Sequence, residues 1–173
     1  MPNQAQGALA TGTEAAMYQR TAVISLDELT PFPGNAKRGD VDAILQSLRR
    51  NGQYRALVVR EVEHGPLIVL AGNHTMQALA LHGQGACGQT VRVRTSDGDV
   101  DDRPCGVCGN QPWEPAARCE IITCDDAAAR RINLADNKIP ELGTYDNDAL
   151  AELLSHLDGD HTGTGYTEAD VEA

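Results

Sequence analysis

Two hydrophobic periods alternate along this chain, and each switch between them marks the border of an element. Residues 22–26 (Ala22-Val23-Ile24-Ser25-Leu26) predict a first short strand, followed by Asp27-Glu28-Leu29 and the turn-rich Pro31-Phe32-Pro33-Gly34-Asn35. Val41, Ile44, Leu45 and Leu48 then fall at i, i+3, i+4 and i+7, with Asp40 placed to cap a helix and Gly52 to end it. Residues 56–62 and 67–70 are strand-like runs separated by Glu63-His64-Gly65-Pro66, a connection short enough to predict an antiparallel hairpin. After the turn Ala71 to Thr75, the residues Met76, Leu79 and Ala80 and the closing Gly83 predict a second helix. The strict alternation of Thr90-Val91-Arg92-Val93-Arg94 predicts a strand with one face in water. Residues 119–123 form a further strand, Asp125 caps a helix running to about Lys138, and a last helix lies near residues 146–157.

Three stretches escape both periods. Residues 1–20, rich in Ala, Gly, Gln and Thr, are expected to be a disordered leader. Residues 159–173 are glycine-rich and acidic and are expected to be a flexible tail. Residues 96–118 carry Asp-Gly-Asp, Cys-Gly-Val-Cys-Gly and Gln-Pro-Trp-Glu-Pro. A structureless loop of that length is uncommon inside a compact domain, so this stretch is an insertion with its own staple or its own function. The expected organisation is one α+β domain over residues 21–158, a small mixed sheet with flanking helices and a cysteine-containing insertion.

Composition narrows the partners. A net charge of −11 argues against gripping DNA with the whole surface, although Lys37-Arg38, Arg49-Arg50, Arg92 with Arg94 and Arg130-Arg131 could be gathered into a local basic patch. No apolar run is long enough for a bilayer and the first residues do not read as a signal peptide, so the expected setting is the cytoplasm, with no membrane partner. One Trp, one Phe and four Tyr leave the core to Ala, Val, Leu and Ile.

The turn Gly72-Asn73-His74-Thr75 links a buried strand to a helix, which suits a phosphate, because the first helical turn carries unpaired N–H donors at the positive end of the dipole. A plainer account is open beside it, in which Gly72 makes a tight turn, Thr75 or Asn73 caps the helix and His74 is a surface residue. The order of elements adds weight. Strand, turn, a helix ending in Ser47-Leu48 and Gly52-Gln53, the strand Leu57-Val58-Val59-Arg60, and a second strand ending in Ala71-Gly72 before a helix resemble the N-terminal domain of the ParB and sulfiredoxin superfamily. The segment Asn133-Leu134-Ala135-Asp136-Asn137-Lys138 is similar to a later motif of that superfamily, in which an Asn and a following basic residue close over a triphosphate.

The resemblance implies a nucleotide, ATP or CTP, with its phosphates at the turn Gly72 to Thr75, where Gly72, His74 and Thr75 would hold them, with Ser47, Asn137 and Lys138 around it. Asn73 and Arg38 complete the expected nucleotide-binding set, with Mg²⁺ as the expected ion. It also implies two limits. Sulfiredoxins carry a Cys where this chain has Asn73, and without that thiolate their phosphoryl transfer to a sulfinic acid is excluded. Partition proteins carry Glu-Arg-Arg where this chain has Asn73-His74-Thr75, and continue into a helix-turn-helix domain. The implied group is the shorter one labelled ParB-like nucleases, which includes nucleotide-hydrolysing, DNA-cleaving and kinase members. For the chemistry His74 is the candidate acid or base and Glu28 a candidate acid, with Asp40 and Glu141 as further acids and Lys37, Arg38 and Lys138 as charge stabilisers. The expected function is binding and hydrolysis of the nucleotide in a DNA-related role. A ParB-like DNA nuclease and a noncatalytic, zinc-stapled module that docks on a protein partner are the alternatives.

Cys105-Gly106-Val107-Cys108-Gly109 is knuckle-like, since two thiolates two residues apart can grip one Zn²⁺. The expected ligand set is Cys87, Cys105, Cys108 and Cys119, which brackets the insertion and would be structural. A redox pair and plainly buried thiols are the other readings. Asp97-Gly98-Asp99-Val100-Asp101-Asp102 lacks the closing Glu of a calcium loop and reads as a solvated turn.

Overall fold

The computed structural model describes residues 15–171, so the first fourteen residues of the expected disordered leader lie outside the described residues. Five strands form the central sheet: β1 (Met17–Ser25), β2 (Leu29–Pro31), β3 (Leu57–Glu61), β4 (Leu67–Ala71) and, after a separate hairpin of β5 (Thr90–Arg94) and β6 (Val100–Pro104), β7 (Ala116–Thr123). Their order is β1-β7-β3-β4-β2. The β3–β4 and β1–β7 pairs are antiparallel, whereas β3–β7 and β2–β4 are parallel, so the sheet is mixed as the sequence predicts.

Helices α1 (Val41–Asn51) and α2 (Asn73–His82) cover one face of the sheet and α3 (Asp126–Lys138) covers the other. Alternation along the central strands supplies both faces. Val69 and Ile121 join Leu45, Leu48, Met76 and Leu79 on the first face, while their neighbours Leu70 and Ile122 meet Ala129 on the second. Burial on both faces is why residues 67–70 are a continuous apolar run. Each such fully buried aliphatic side chain contributes about 1.5–3 kcal/mol. Asp40 caps α1 by accepting from Ala43 N at 2.9 Å, and Asp125 caps α3 by accepting from Ala128 N at 2.7 Å. The helix α4 (Asn147–Ser155) follows, capped by Asp146, and α5 (Glu168–Val171) ends the described chain.

Four departures from the sequence pattern share a cause: backbone pairing and tertiary contacts need no hydrophobic period. The first strand begins at Met17 instead of residue 22, because Met17 to Thr21 pair with β7 even though their side chains are exposed. Leu29–Pro31, expected to run into a turn, pairs parallel with Leu67–Val69 as an edge strand. Val100–Pro104, inside the expected irregular insertion, pairs with β5 although its side chains are all exposed. The expected flexible tail folds back on the end of α1: Arg50 Nη2 meets Asp160 Oδ2 at 2.7 Å, and Asn51 Nδ2 donates to Gly163 O at 3.2 Å. No helix among the described residues is long and apolar enough to cross a membrane.

Candidate functional site

The turn from β4 into α2 is built on one glycine. Gly72 caps α2 in the left-handed conformation, with φ 89°, and a Cβ at this position would lie 2.6 Å from Leu57 Cδ2. The first intrahelical hydrogen bond runs from Met76 N to Gly72 O, so the N–H groups of Asn73, His74 and Thr75 precede the helical ladder and face outward from its positive end.

Asn73 and His74 hold the wall opposite this turn. Asn73 is 4% exposed; its Oδ1 accepts from Phe32 N at 2.9 Å and its Nδ2 donates to Val69 O at 3.0 Å. The side chain expected to contact nucleotide is therefore committed to joining the loop after β2 to β4. His74 Nε2 lies 3.0 Å from Gly39 N and 3.1 Å from Lys37 O, so in either neutral tautomer the ring fixes the loop at residues 37–39 and Nδ1 is the nitrogen left over. That loop sits close enough that a Cβ on Gly39 would be 2.7 Å from the ring.

A cleft of about 230 Å³ opens over the turn, lined by Gly72, Asn73, His74 and Thr75 below and by Asn35, Lys37, Arg55, Asp136 and Asn137 around the rim. Arg55 Nη2 meets Asp136 Oδ1 at 3.1 Å, and Asn137 Nδ2 donates to Asn35 Oδ1 at 3.0 Å, closing the rim between α3 and the loop. On the same side, Lys37 Nζ reaches Asn137 O at 3.3 Å and Glu141 at 3.4 Å. Lys138 and Lys37 together hold the Glu141 carboxyl below its ordinary range by hydrogen bonding and charge. Two neighbouring hollows share this loop and add Arg38, Arg130 and Lys138 to their walls. Around the three hollows stand five cations, Lys37, Arg38, Arg55, Arg130 and Lys138, and two acids, Asp136 and Glu141, in a chain whose net charge is −11.

Neither a family model nor a curated protein matches the chain. Among solved structures, it is similar to the C-terminally truncated chromosome-partitioning protein ParB from Caulobacter crescentus complexed with CTP-gamma-S. The TM-score is 0.54 at 12% sequence identity, covering 88% of this chain and 69% of that one. The fold is ParB-like. At that identity the likeness establishes the arrangement of elements alone.

Within this ParB-like fold the sequence-predicted residues divide into three groups. Gly72, Asn73, His74, Thr75 and Asn137 line the cleft, and Arg38 and Lys138 line the hollows beside it. Ser47 and Glu28 do not come to it. Ser47 faces Asn51 on α1, accepting from its Nδ2 at 3.3 Å, and the cleft is reached from this helix by Ile44 one turn earlier. Glu28 ends the 3-10 turn Leu26–Glu28, exposed and away from all three hollows, and Asp40 is engaged as the α1 cap. Sequence reasoning missed Arg55, and it gave no role to the buried Asn133 of the Asn133–Lys138 motif, whose Nδ2 donates to Leu70 O at 2.9 Å and anchors α3 to β4 beside the cleft. Arg55 precedes a strand with no pattern around it.

The cysteines separate in the same way. Cys87, Cys105 and Cys108 converge, but Cys119 lies on β7 inside the core, fully buried, with its thiol donating to Ala117 O at 3.4 Å. Burial pushes the Cys119 thiol up to about 11. The place expected for it is taken by His82, at the end of α2, and the four donor atoms of His82, Cys87, Cys105 and Cys108 all lie within 4.8 Å of one another.

Proposed function

We propose that the protein binds a nucleoside triphosphate, ATP or CTP, as its Mg²⁺ complex at the turn between β4 and α2, and hydrolyses it in a DNA-related role. The observation that carries this reading is a set of cations beside an open helix N-terminus in an otherwise acidic molecule: Lys37, Arg38 and Arg55 line the hollows at the turn, and Arg130 and Lys138 line the adjoining one. A triphosphate is the ligand class that needs both the backbone donors of the turn and several side-chain cations. The ParB-like fold of a protein complexed with CTP-gamma-S supports the same choice. Mg²⁺ takes one or two carboxylates together with phosphate oxygens, and Asp136 is the carboxylate that lines the cleft. In this reading His74 Nδ1 is the ring atom free to move a proton, because Nε2 holds the loop.

Calorimetric titration with ATP, CTP and GTP, each with Mg²⁺, tests the binding. Saturable binding of at least one is expected, weakened tenfold or more when Arg55 is changed to Glu, since a cation facing phosphate becomes a repelling charge. A flat titration at millimolar ligand overturns the site. Phosphate release without DNA supports hydrolysis, whereas Mg²⁺-dependent nicking of plasmid would mark a ParB-like nuclease. The absence of both phosphate release and nicking would favour the noncatalytic module.

A further inference from the structure

We infer that His82, Cys87, Cys105 and Cys108 bind one structural Zn²⁺, which locks the insertion onto the C-terminal ends of α1 and α2. The four donor atoms lie within 4.8 Å of one another, and two of their separations match the edges of a metal-centred tetrahedron. Zn–S bonds of about 2.3 Å and Zn–N bonds of about 2.0–2.1 Å at tetrahedral angles require S···S edges of about 3.8 Å and S···N edges of about 3.6 Å. Cys108 Sγ lies 3.5 Å from Cys87 Sγ, and Cys105 Sγ lies 3.5 Å from His82 Nε2. The sulfurs are well beyond the roughly 2.05 Å of a disulfide, and all three cysteines are free.

Three further features fit a metal and not a redox pair. The imidazole is oriented from behind: His82 Nδ1 lies 2.9 Å from Gly83 O, so the Nδ1–H tautomer donates to that carbonyl and turns the Nε2 lone pair toward the sulfurs. Trp113 packs edge-on against the same ring with centroids 5.1 Å apart, which fixes its plane. Val107 N points at Cys105 Sγ, 3.4 Å away, an N–H that stabilises a thiolate at the turn of the knuckle. A dithiol switch uses two sulfurs, whereas here three sulfurs and one nitrogen converge, with Cys105 and Cys108 buried and Cys87 half-buried.

Four protein ligands leave no open coordination position, which makes the site structural, and an S₃N donor set favours Zn²⁺ over the harder divalent ions. Its place in the fold says what it holds. Gly106 N donates to Arg49 O at 2.7 Å, so the knuckle supplies a hydrogen bond to the C-terminal turn of α1. A Cβ on Gly106 would lie 2.7 Å from Gly52 N and 2.9 Å from Leu48 O, a contact that only glycine permits. His82 ties the same knuckle to the end of α2. The β5–β6 hairpin, which is not part of the central sheet, is thereby fixed at its two bases, since Cys87 precedes β5 and Cys105 follows β6.

The test is elemental analysis of the full chain purified under reducing conditions in buffer stripped of metal, with and without prior reconstitution with Zn²⁺. One equivalent of zinc per chain is expected, and Co²⁺ exchanged into the site should give the visible bands of a tetrahedral centre with thiolate-to-metal charge transfer. The Cys119→Ser variant should keep a full equivalent, while His82→Ala and Cys108→Ser should each fall below half. Should those two variants fail to fold, the Co²⁺ spectrum of the unaltered chain still decides. Less than half an equivalent in the reconstituted chain, or an octahedral Co²⁺ spectrum, overturns the site. Loss of zinc in Cys119→Ser with retention in His82→Ala overturns the ligand set.

Discussion

The two ends of α2 carry the two candidate sites of this protein, and they are held by opposite means. At the start, the turn is made by the chain itself: Gly72 in the left-handed region, and Asn73 bonded to Phe32 N and Val69 O. At the finish, His82 faces three thiols that share no covalent link. The ten residues between them span about 15 Å at 1.5 Å per residue. A site closed by backbone geometry is shaped before its ligand arrives, whereas a cluster of mutually facing donors acquires its rigidity from the ion at its centre. On the proposed readings, the first would exchange a nucleotide without unfolding, and the second would not give up a metal without loosening what it fastens.

The largest expected effect that separates the two ends is Gly72→Val. A β-branched residue at φ 89° meets backbone strain as well as the overlap with Leu57, together about 4 kcal/mol, which urea unfolding would read directly. A stability change under 1 kcal/mol would show that the turn is not fixed by its glycine. Next is Asn73→Ala, which leaves Phe32 N–H and Val69 O without their side-chain partner and should cost about 2–3 kcal/mol. Its zinc content should stay unchanged, because the helix between the two ends remains; loss of metal in a folded Asn73→Ala chain would mean that the ends are not independent.

The smallest effect concerns the cysteine left out of the cluster. Because burial raises the Cys119 thiol to about 11, the unfolded chain gives up that proton between about pH 9 and 11 while the folded chain keeps it. Stability contributed by this position is thus flat below about pH 9 and falls as pH rises through that window. Cys119→Ala should flatten the alkaline limb of the stability profile relative to the unaltered chain and leave neutral pH behaviour alike. An unchanged limb would place the thiol in contact with water and weaken the contrast with the three converging cysteines.

Much of this was legible along the chain. Period and caps gave α1, the β3–β4 hairpin, α2, β5 and α3, because those elements bury one stripe or both faces and must repeat their apolar residues accordingly. The Gly72 turn showed itself as the one break between a continuous apolar run and a helix. Met17 to Thr21, Pro31 and β6 did not, since edge and hairpin strands are satisfied by backbone bonds and can be polar throughout. At the cleft over the β4–α2 turn the turn was legible, but Arg55 and Asp136, 81 residues apart, meet only after β3 and α3 have taken their places.

The cysteines show the division most sharply. Sequence alone determined that Cys105 and Cys108 form a knuckle, because two residues of spacing is a local property that any fold inherits. For the fourth donor, sequence reasoning took Cys119 and did not weigh His82, because nothing local to either residue shows whether it reaches the knuckle. Tertiary structure decided: the alternation of β7 turns Cys119 into the core, while the length of α2 brings His82 to the knuckle at the point where the helix ends. Periodicity fixes which side chains face inward along each element. Only the packing of elements against one another fixes which side chains, remote in the chain, come within bonding distance.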